Sequence, residues 1–194
     1  MAEQAAEKPV AVEIPSPEQV EAELEKIRYR RRFGRTLLQT AAVLVVVAAA
    51  AVLISTIFMP VIQVSGGSMS PTLNDGDVLV TLNTKRISYG DLCCVSWQNK
   101  MLLKRVIGLS GDTVSIAEDG SVTVNGVLLD EPYVIEKSLG QCDITFPYVV
   151  PEDKIFLLGD NRLLSADSRS ADIGCIGHDQ IIGKVLFRIW EKKS

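Results

Sequence analysis

Between Arg35 and Asp75 the chain carries no charged residue, and from Leu37 to Phe58 it reads Leu, Val, Ile and Ala almost without relief. As a helix rising about 1.5 Å per residue, that run is about 33 Å long, enough to cross a bilayer core of about 30 Å. A cleavable secretory signal has an apolar stretch of only about 7–15 residues near the N-terminus, followed by small residues. Phe58-Met59-Pro60 is no such site, and the run begins well inside the chain. A transmembrane anchor over residues 36–60 is therefore expected, with Pro60 as its stop. Arg28, Arg30, Arg31, Arg32 and Arg35 crowd its N-terminal flank, whereas the first basic residue beyond it is Lys85. Basic flanks stay in the cytoplasm, which places the N-terminus inside and everything after Pro60 outside.

The other boundaries follow. Residues 1–35 read as a cytoplasmic leader, disordered up to Pro15 by its Ala-, Glu- and Pro-rich composition. Ser16-Pro17-Glu18-Gln19 then opens a charged helix, with a serine cap, proline at the first helical position and glutamine three residues after the cap. Residues 61–194 suffice for one globular domain with its own core. The formal net charge is −4, and the arginine cluster is the only dense basic patch. It serves topology and lipid headgroup contact rather than nucleic acid.

Four cysteines, Cys93, Cys94, Cys142 and Cys175, could form disulfides outside the cell, but their spacing does not give a pairing, and free, buried thiols are the expectation. No C-x-x-C or H-E-x-x-H pattern occurs, so neither a metal nor another cofactor is expected.

The outer part reads as mostly β. Asp77 to Leu82, Asp91 to Trp97, Met101 to Ile107, Ser121 to Val124, Val127 to Leu129, Ile155 to Leu158 and Ile181 to Trp190 are short apolar runs broken by turn residues. Asp119-Gly120 and Asn125-Gly126 favour tight hairpin turns because they tolerate positive φ. Strands do not alternate with long helices, which argues against a parallel α/β sheet.

Three clusters could carry chemistry. Ser68 follows Gly66-Gly67 and precedes Met69-Ser70-Pro71-Thr72-Leu73, at most about 28 Å of chain beyond Pro60. The glycines suit a turn that exposes the hydroxyl and frees backbone N–H groups for an oxyanion, or else a flexible linker. Lys104 shares a strand face with Leu102 and Val106, where burial would keep its amine neutral, but an exposed edge strand also uses lysine to block aggregation. Gly159-Asp160-Asn161-Arg162, Ser165 and Asp167-Ser168-Arg169 form either a site wall or a polar turn. A serine nucleophile needs a base, and the chain's only histidine, His178, is far from all three clusters in sequence.

In this order the clusters resemble the bacterial type I signal peptidases. The resemblance runs from about Val64 to the C-terminus and rests on Ser68 to Leu73, Gly76-Asp77, Lys104 to Val114, Gly159 to Arg169 and Ile181-Ile182-Gly183-Lys184. It implies a signal-peptidase-like β catalytic domain behind a single N-terminal helix, as in the smaller Gram-positive-type members. Such an enzyme is a membrane-bound serine endopeptidase that removes signal peptides from exported preproteins. The resemblance makes Ser68 the nucleophile and Lys104 the general base, with Ser165 orienting the lysine amine. It pairs Arg105 with Asp160, and Asp167 with Arg169, as supports of the site. Cleavage would follow small residues at the first and third positions before the scissile bond, and Val61, Ile62, Val64 and Met69 would face lipid or substrate. The export machinery is a further candidate partner.

Gly66 stands where some members carry a serine that donates to the oxyanion, which leaves the second donor open. The self-cleaving repressors would need a DNA-binding module in place of the anchor, and the reticulum-type signal peptidases a histidine in place of Lys104. A membrane-tethered binding module without activity would have no use for an intact Ser68 and Lys104.

Overall fold

The computed structural model describes residues 16–192, so the leader up to Pro15 lies outside the described residues. The chain divides into two compact units, parted between Val52 and Leu53. One continuous helix, α1 (Pro17–Phe58), unites the charged segment with the apolar run. Its start is the expected one: Gln19 N–H donates to Ser16 Oγ at 3.3 Å, and Ser16 N–H donates back to Gln19 Oε1 at 3.0 Å. This reciprocal pair satisfies two donors that a helix start would otherwise leave open. The most apolar window of α1 has a mean hydropathy of 2.8 and is wholly exposed, so length and composition suit it to crossing a membrane.

The second unit is mostly β. Its strands are β1 (Val61–Gln63), β2 (Val78–Leu82), β3 (Leu92–Trp97), β4 (Lys100–Gly108), β5 (Thr113–Ile116), β6 (Val122–Val124), β7 (Val127–Leu128), β8 (Tyr148–Val149), β9 (Lys154–Leu158), β10 (Ile176–Gly177) and β11 (Ile181–Trp190). A seven-stranded sheet runs β1-β2-β11-β3-β4-β9-β10, and a four-stranded sheet runs β7-β6-β5-β8. Every strand pair is antiparallel. β6 and β7 are joined by the expected hairpin, with Asn125 and Gly126 at φ 53° and 79°, the double left-handed turn that matches strand twist.

Strands β1, β5, β8 and β10 were not expected from the sequence. Thr113–Ile116 carries a legible period of two, since Val114 and Ile116 are buried while Thr113 and Ser115 are half-buried. The other three are two or three residues long, too short to show any period.

Three apolar clusters form the core. Ile107, Val114, Val122, Phe156 and Leu158 join the two sheets, while Val95, Val106, Ile155, Leu157 and Ile181 fill the large sheet. The third cluster, Val64, Met69, Leu73 and Leu79, pins the segment around Ser68. Val64 and Met69 thus turn into the core rather than lie open to lipid; Met69 is only 1% exposed. Val61, by contrast, is exposed as expected. All four cysteines are free. Burial pushes the Cys93 and Cys94 thiols up to about 12, so neither supplies a thiolate at neutral pH.

Candidate active site

Ser68 sits on a short turn held at both ends. Gly66 adopts φ 89°, a left-handed conformation that a side chain would disfavour, and donates its N–H to Asp75 Oδ1 at 2.9 Å. That bond removes the Gly66 N–H from the candidate oxyanion donors. Past Ser68, Leu73 N–H donates to the Met69 carbonyl at 2.9 Å, and both side chains lock into the third core cluster. Ser68 is left half-buried, and its own N–H has no partner among the described residues.

Lys104 comes to this turn from β4. Its Nζ lies 2.8 Å from Ser68 Oγ, and the residue is only 3% exposed. Burial pushes the lysine below its ordinary range; Asp167 and Asp160 pull it back up, and Arg169 presses it further down. A buried amine next to a serine hydroxyl, with its ammonium form disfavoured, has the makings of a general base.

The third cluster wraps behind this pair. Asn161 N–H donates to the Ser68 carbonyl at 3.0 Å. Asp160 accepts from Arg105 Nε and Nη2 at 2.8 and 2.6 Å and from Thr72 Oγ1 at 2.5 Å. Arg105 also lies over the Tyr133 ring, 3.8 Å from its centroid, so the guanidinium has both a carboxylate and an aromatic face. Asp167 and Arg169, both fully buried, pair through two bonds of 2.8 Å. Asp167 Oδ2 further accepts from Gly159 N–H at 3.0 Å, and Leu139 O from Arg169 Nη1 at 2.7 Å. Both expected ion pairs are therefore present.

Ser165 is placed differently from expectation. It is buried, yet its Oγ has no hydrogen-bond partner, and it is the only such side-chain atom among the described residues. The Lys104 amine is directed to Ser68 instead. Ser165 packs onto Gly159: a Cβ there would strike Ser165 Oγ and come within 2.6 Å of the Ser68 carbonyl.

A third buried pair went unforeseen. Arg162 Nη2 and Nη1 donate to Glu131 at 2.5 and 3.3 Å, Arg162 Nε donates to the Gly159 carbonyl at 3.1 Å, and Tyr133 Oη donates to Glu131 at 2.9 Å. Arg162 lies inside a motif already singled out, but Glu131 falls in an irregular stretch whose pattern gave no signal.

A groove of about 240 Å³ opens beside the Ser68–Lys104 pair, between Ile62-Gln63-Val64 and Met101-Leu102-Leu103. Its two walls are strand edges. β1 pairs with β2 alone. β4 pairs with β3 along Lys100 to Arg105, but β9 meets it only from Arg105 onward. Gly159, next after Leu158, instead gives its N–H to Asp167. The main-chain edge of Lys100 to Lys104 is thereby left without a strand partner among the described residues.

Comparison with known proteins decides the family. Residues 37–190 match the model for signal peptidase, peptidase S26. The chain belongs to the signal peptidase family. Signal peptidase I of Bacillus amyloliquefaciens is 36% identical over 157 residues, covering 75% of this chain and 83% of the relative. Signal peptidase I S of Bacillus subtilis strain 168 is 36% identical over 165 residues, covering 79% and 89%. Signal peptidase IB of Staphylococcus aureus strain COL is 37% identical over 147 residues, covering 66% and 75%. A solved signal peptidase I from Enterococcus faecalis V583 aligns with 53% of this chain and 97% of its own, at 30% identity and a TM-score of 0.44. The chain is thus a serine endopeptidase of the signal peptidase I type, and signal peptides of exported preproteins are its substrate class.

Proposed function

We propose that this signal peptidase works through a Ser68–Lys104 dyad, held at the outer face of a membrane by α1. The observation that carries the reading is the 2.8 Å contact of Lys104 Nζ with Ser68 Oγ beside the groove. A signal peptide lies in the groove as an added strand, its main chain bonding to the free edges of β1 and β4. Neutral Lys104 takes the Ser68 hydroxyl proton as Oγ attacks the scissile carbonyl. The Ser68 N–H stabilises the oxyanion. As the C–N bond breaks, Lys104 returns the proton to the departing amine, leaving the signal peptide as an ester on Ser68. Lys104 then deprotonates a water that attacks this ester, and passes the proton to Ser68 Oγ as the acid leaves. Ile62, Val64, Met69 and Leu102 give the groove an apolar lining, and small side chains before the scissile bond are selected there by steric exclusion of larger ones.

Ser165, Arg105, Asp160, Asp167 and Arg169 support the dyad in this reading: the two ion pairs fix the loop against Ser68, and Ser165 becomes a partner for the lysine amine during turnover. The anchor over residues 36–60 spans the bilayer with the arginine-rich flank in the cytoplasm and residues 61–194 outside, where the export machinery delivers preproteins.

The test of the dyad is cleavage of a preprotein by the detergent-solubilised chain and by its Ser68→Ala and Lys104→Ala variants. Wild type should release the mature protein and both variants should not; cleavage by either variant overturns the dyad. The orientation is tested in intact cells. In a chain whose four native cysteines are replaced by serine, a cysteine placed beyond Pro60 should label with an impermeant reagent, and one placed before Arg28 should not.

A further inference from the structure

A second cavity, of about 370 Å³, lies farther along the turn that carries Ser68. The signal-peptide groove touches Ser68 and Met69, and this cavity touches Ser70 and Pro71, the next residues along the same turn. Its far wall is the loop whose Asn161 bonds to the Ser68 carbonyl.

The lining is apolar and open. Pro71, Ile135, Leu163 and Leu164 all reach it, with Ile135 81% and Leu164 73% exposed. Leu163 and Leu164 are 49% and 73% exposed and belong to none of the three core clusters, so folding gains little from them. Asp160 and Arg162 also line the cavity, but each is held in a buried ion pair with Arg105 or Glu131. Ser70, Asn161 and the exposed Glu136 complete the lining, so a ligand meets a mainly apolar rim edged by one carboxylate.

We infer that this cavity receives the mature side of the substrate, with an apolar side chain two to four residues after the scissile bond packing on Pro71, Ile135, Leu163 and Leu164. The inference rests on the dyad reading above, because it takes Ser68 as the point where the substrate chain passes from one cavity to the other. Ser70 is two Cα steps from Ser68, at most about 7 Å. An extended substrate advances about 3.3 Å per residue, so its second residue past the cut draws level with Ser70 and its third and fourth extend over the rim beyond it. The chain therefore selects substrates partly by the start of the mature protein.

The test uses the full chain in detergent and peptides identical up to the cut, followed either by a serine tail or by that tail with leucine at its second, third or fourth position. Leucine at one of these positions should raise kcat/KM about five- to tenfold over the serine tail. In Leu163→Asn/Leu164→Asn, and separately in Ile135→Ser, that ratio should fall close to one while the serine-tailed peptide is cleaved at the wild-type rate. Binding by Ser68→Ala supplies a readout without turnover, and it should favour the leucine-tailed peptide by the same factor. No leucine preference in wild type, or an undiminished preference in the variants, overturns the inference. So does a double variant that loses binding to phospholipid vesicles while keeping the ratio, since the leucines then serve a lipid surface. Failure of the wild type to cleave even the serine-tailed peptide would count against the dyad reading instead, and the binding comparison would still decide the subsite.

Discussion

Asn161 donates its main-chain N–H to the carbonyl of Ser68 at 3.0 Å. This bond ties Ser68 to a loop that starts 91 residues later in sequence, directly after Leu158 of β9. It fixes the carbonyl of the Ser68–Met69 peptide, while the Ser68 N–H, in the neighbouring Gly67–Ser68 peptide, stays open to an oxyanion, so the loop acts on that donor only through the Ser68 Cα.

Activity should rise with pH through Lys104. Burial lowers the pKa of this lysine, and the active form is the neutral amine, so kcat/KM should climb as pH passes the lowered pKa and then level. His178→Ala should keep the acidic limb. A limb that disappears in that variant would assign the base to the histidine.

The same burial has a stability counterpart. Because the folded pKa of Lys104 is depressed, the unfolded chain binds more protons between that value and the ordinary lysine pKa of about 10.4, so wild-type stability gains with pH across this window. Lys104→Met carries no such slope. Its melting temperature should exceed that of wild type near neutral pH, and the gap should narrow as pH approaches 10. A gap that does not change with pH would mean that the buried amine carries no ionisation penalty.

Ser165→Ala removes a buried hydroxyl that has no partner. An unsatisfied group of this kind costs about 1–3 kcal/mol, so the variant should be at least as stable as wild type. If the hydroxyl serves the lysine during turnover, kcat should nonetheless fall roughly 10–1,000-fold. Stability and rate moving together, both downward, would make Ser165 a packing residue only.

Gly159→Ala should act in the reverse sense. The added methyl meets Ser165 Oγ and presses within 2.6 Å of the Ser68 carbonyl, so the loop and the nucleophile turn must part. Activity should drop by a hundredfold or more, on the scale of a misplacement of about 1 Å. A fully active Gly159→Ala chain would show that the contact between loop and turn does not matter for turnover.

Asp160→Ala leaves Arg105 with the Tyr133 ring and the Gly90 carbonyl but no carboxylate. Breaking a buried pair costs about 3–5 kcal/mol, and since the Arg105 side chain keeps 11% exposure, the lower end is expected. Thermal unfolding measures it. An unchanged melting temperature with lost activity would move Asp160 from support into the chemistry.

Much of the site was readable because its residues stand in short motifs with chemically unusual content. A lysine on an apolar strand face, and a serine fixed between Gly66-Gly67 and Pro71, need no partner to be noticed. Glu131 could not be found this way: it reaches Arg162 across 31 residues of sequence, from an Asp130-Glu131-Pro132 stretch that reads only as a turn. The free edge of β4 was equally hidden. Its strand was expected, but where its pairing stops depends on Gly159 turning toward Asp167, a long-range hydrogen bond that no local pattern encodes. The burial of Met69 was missed for a similar reason, since only the third core cluster shows what covers it.

That free edge also limits how far the domain can be stabilised. An obvious engineering step would lengthen β9 past Leu158, so that Lys100 to Lys104 gain a second neighbour and the sheet loses an aggregation-prone border. Doing so would fill the slot with the enzyme's own backbone. Along these five residues, robustness and turnover compete for the same row of amides and carbonyls, so a hardened version of this domain has to draw its stability from elsewhere in the fold.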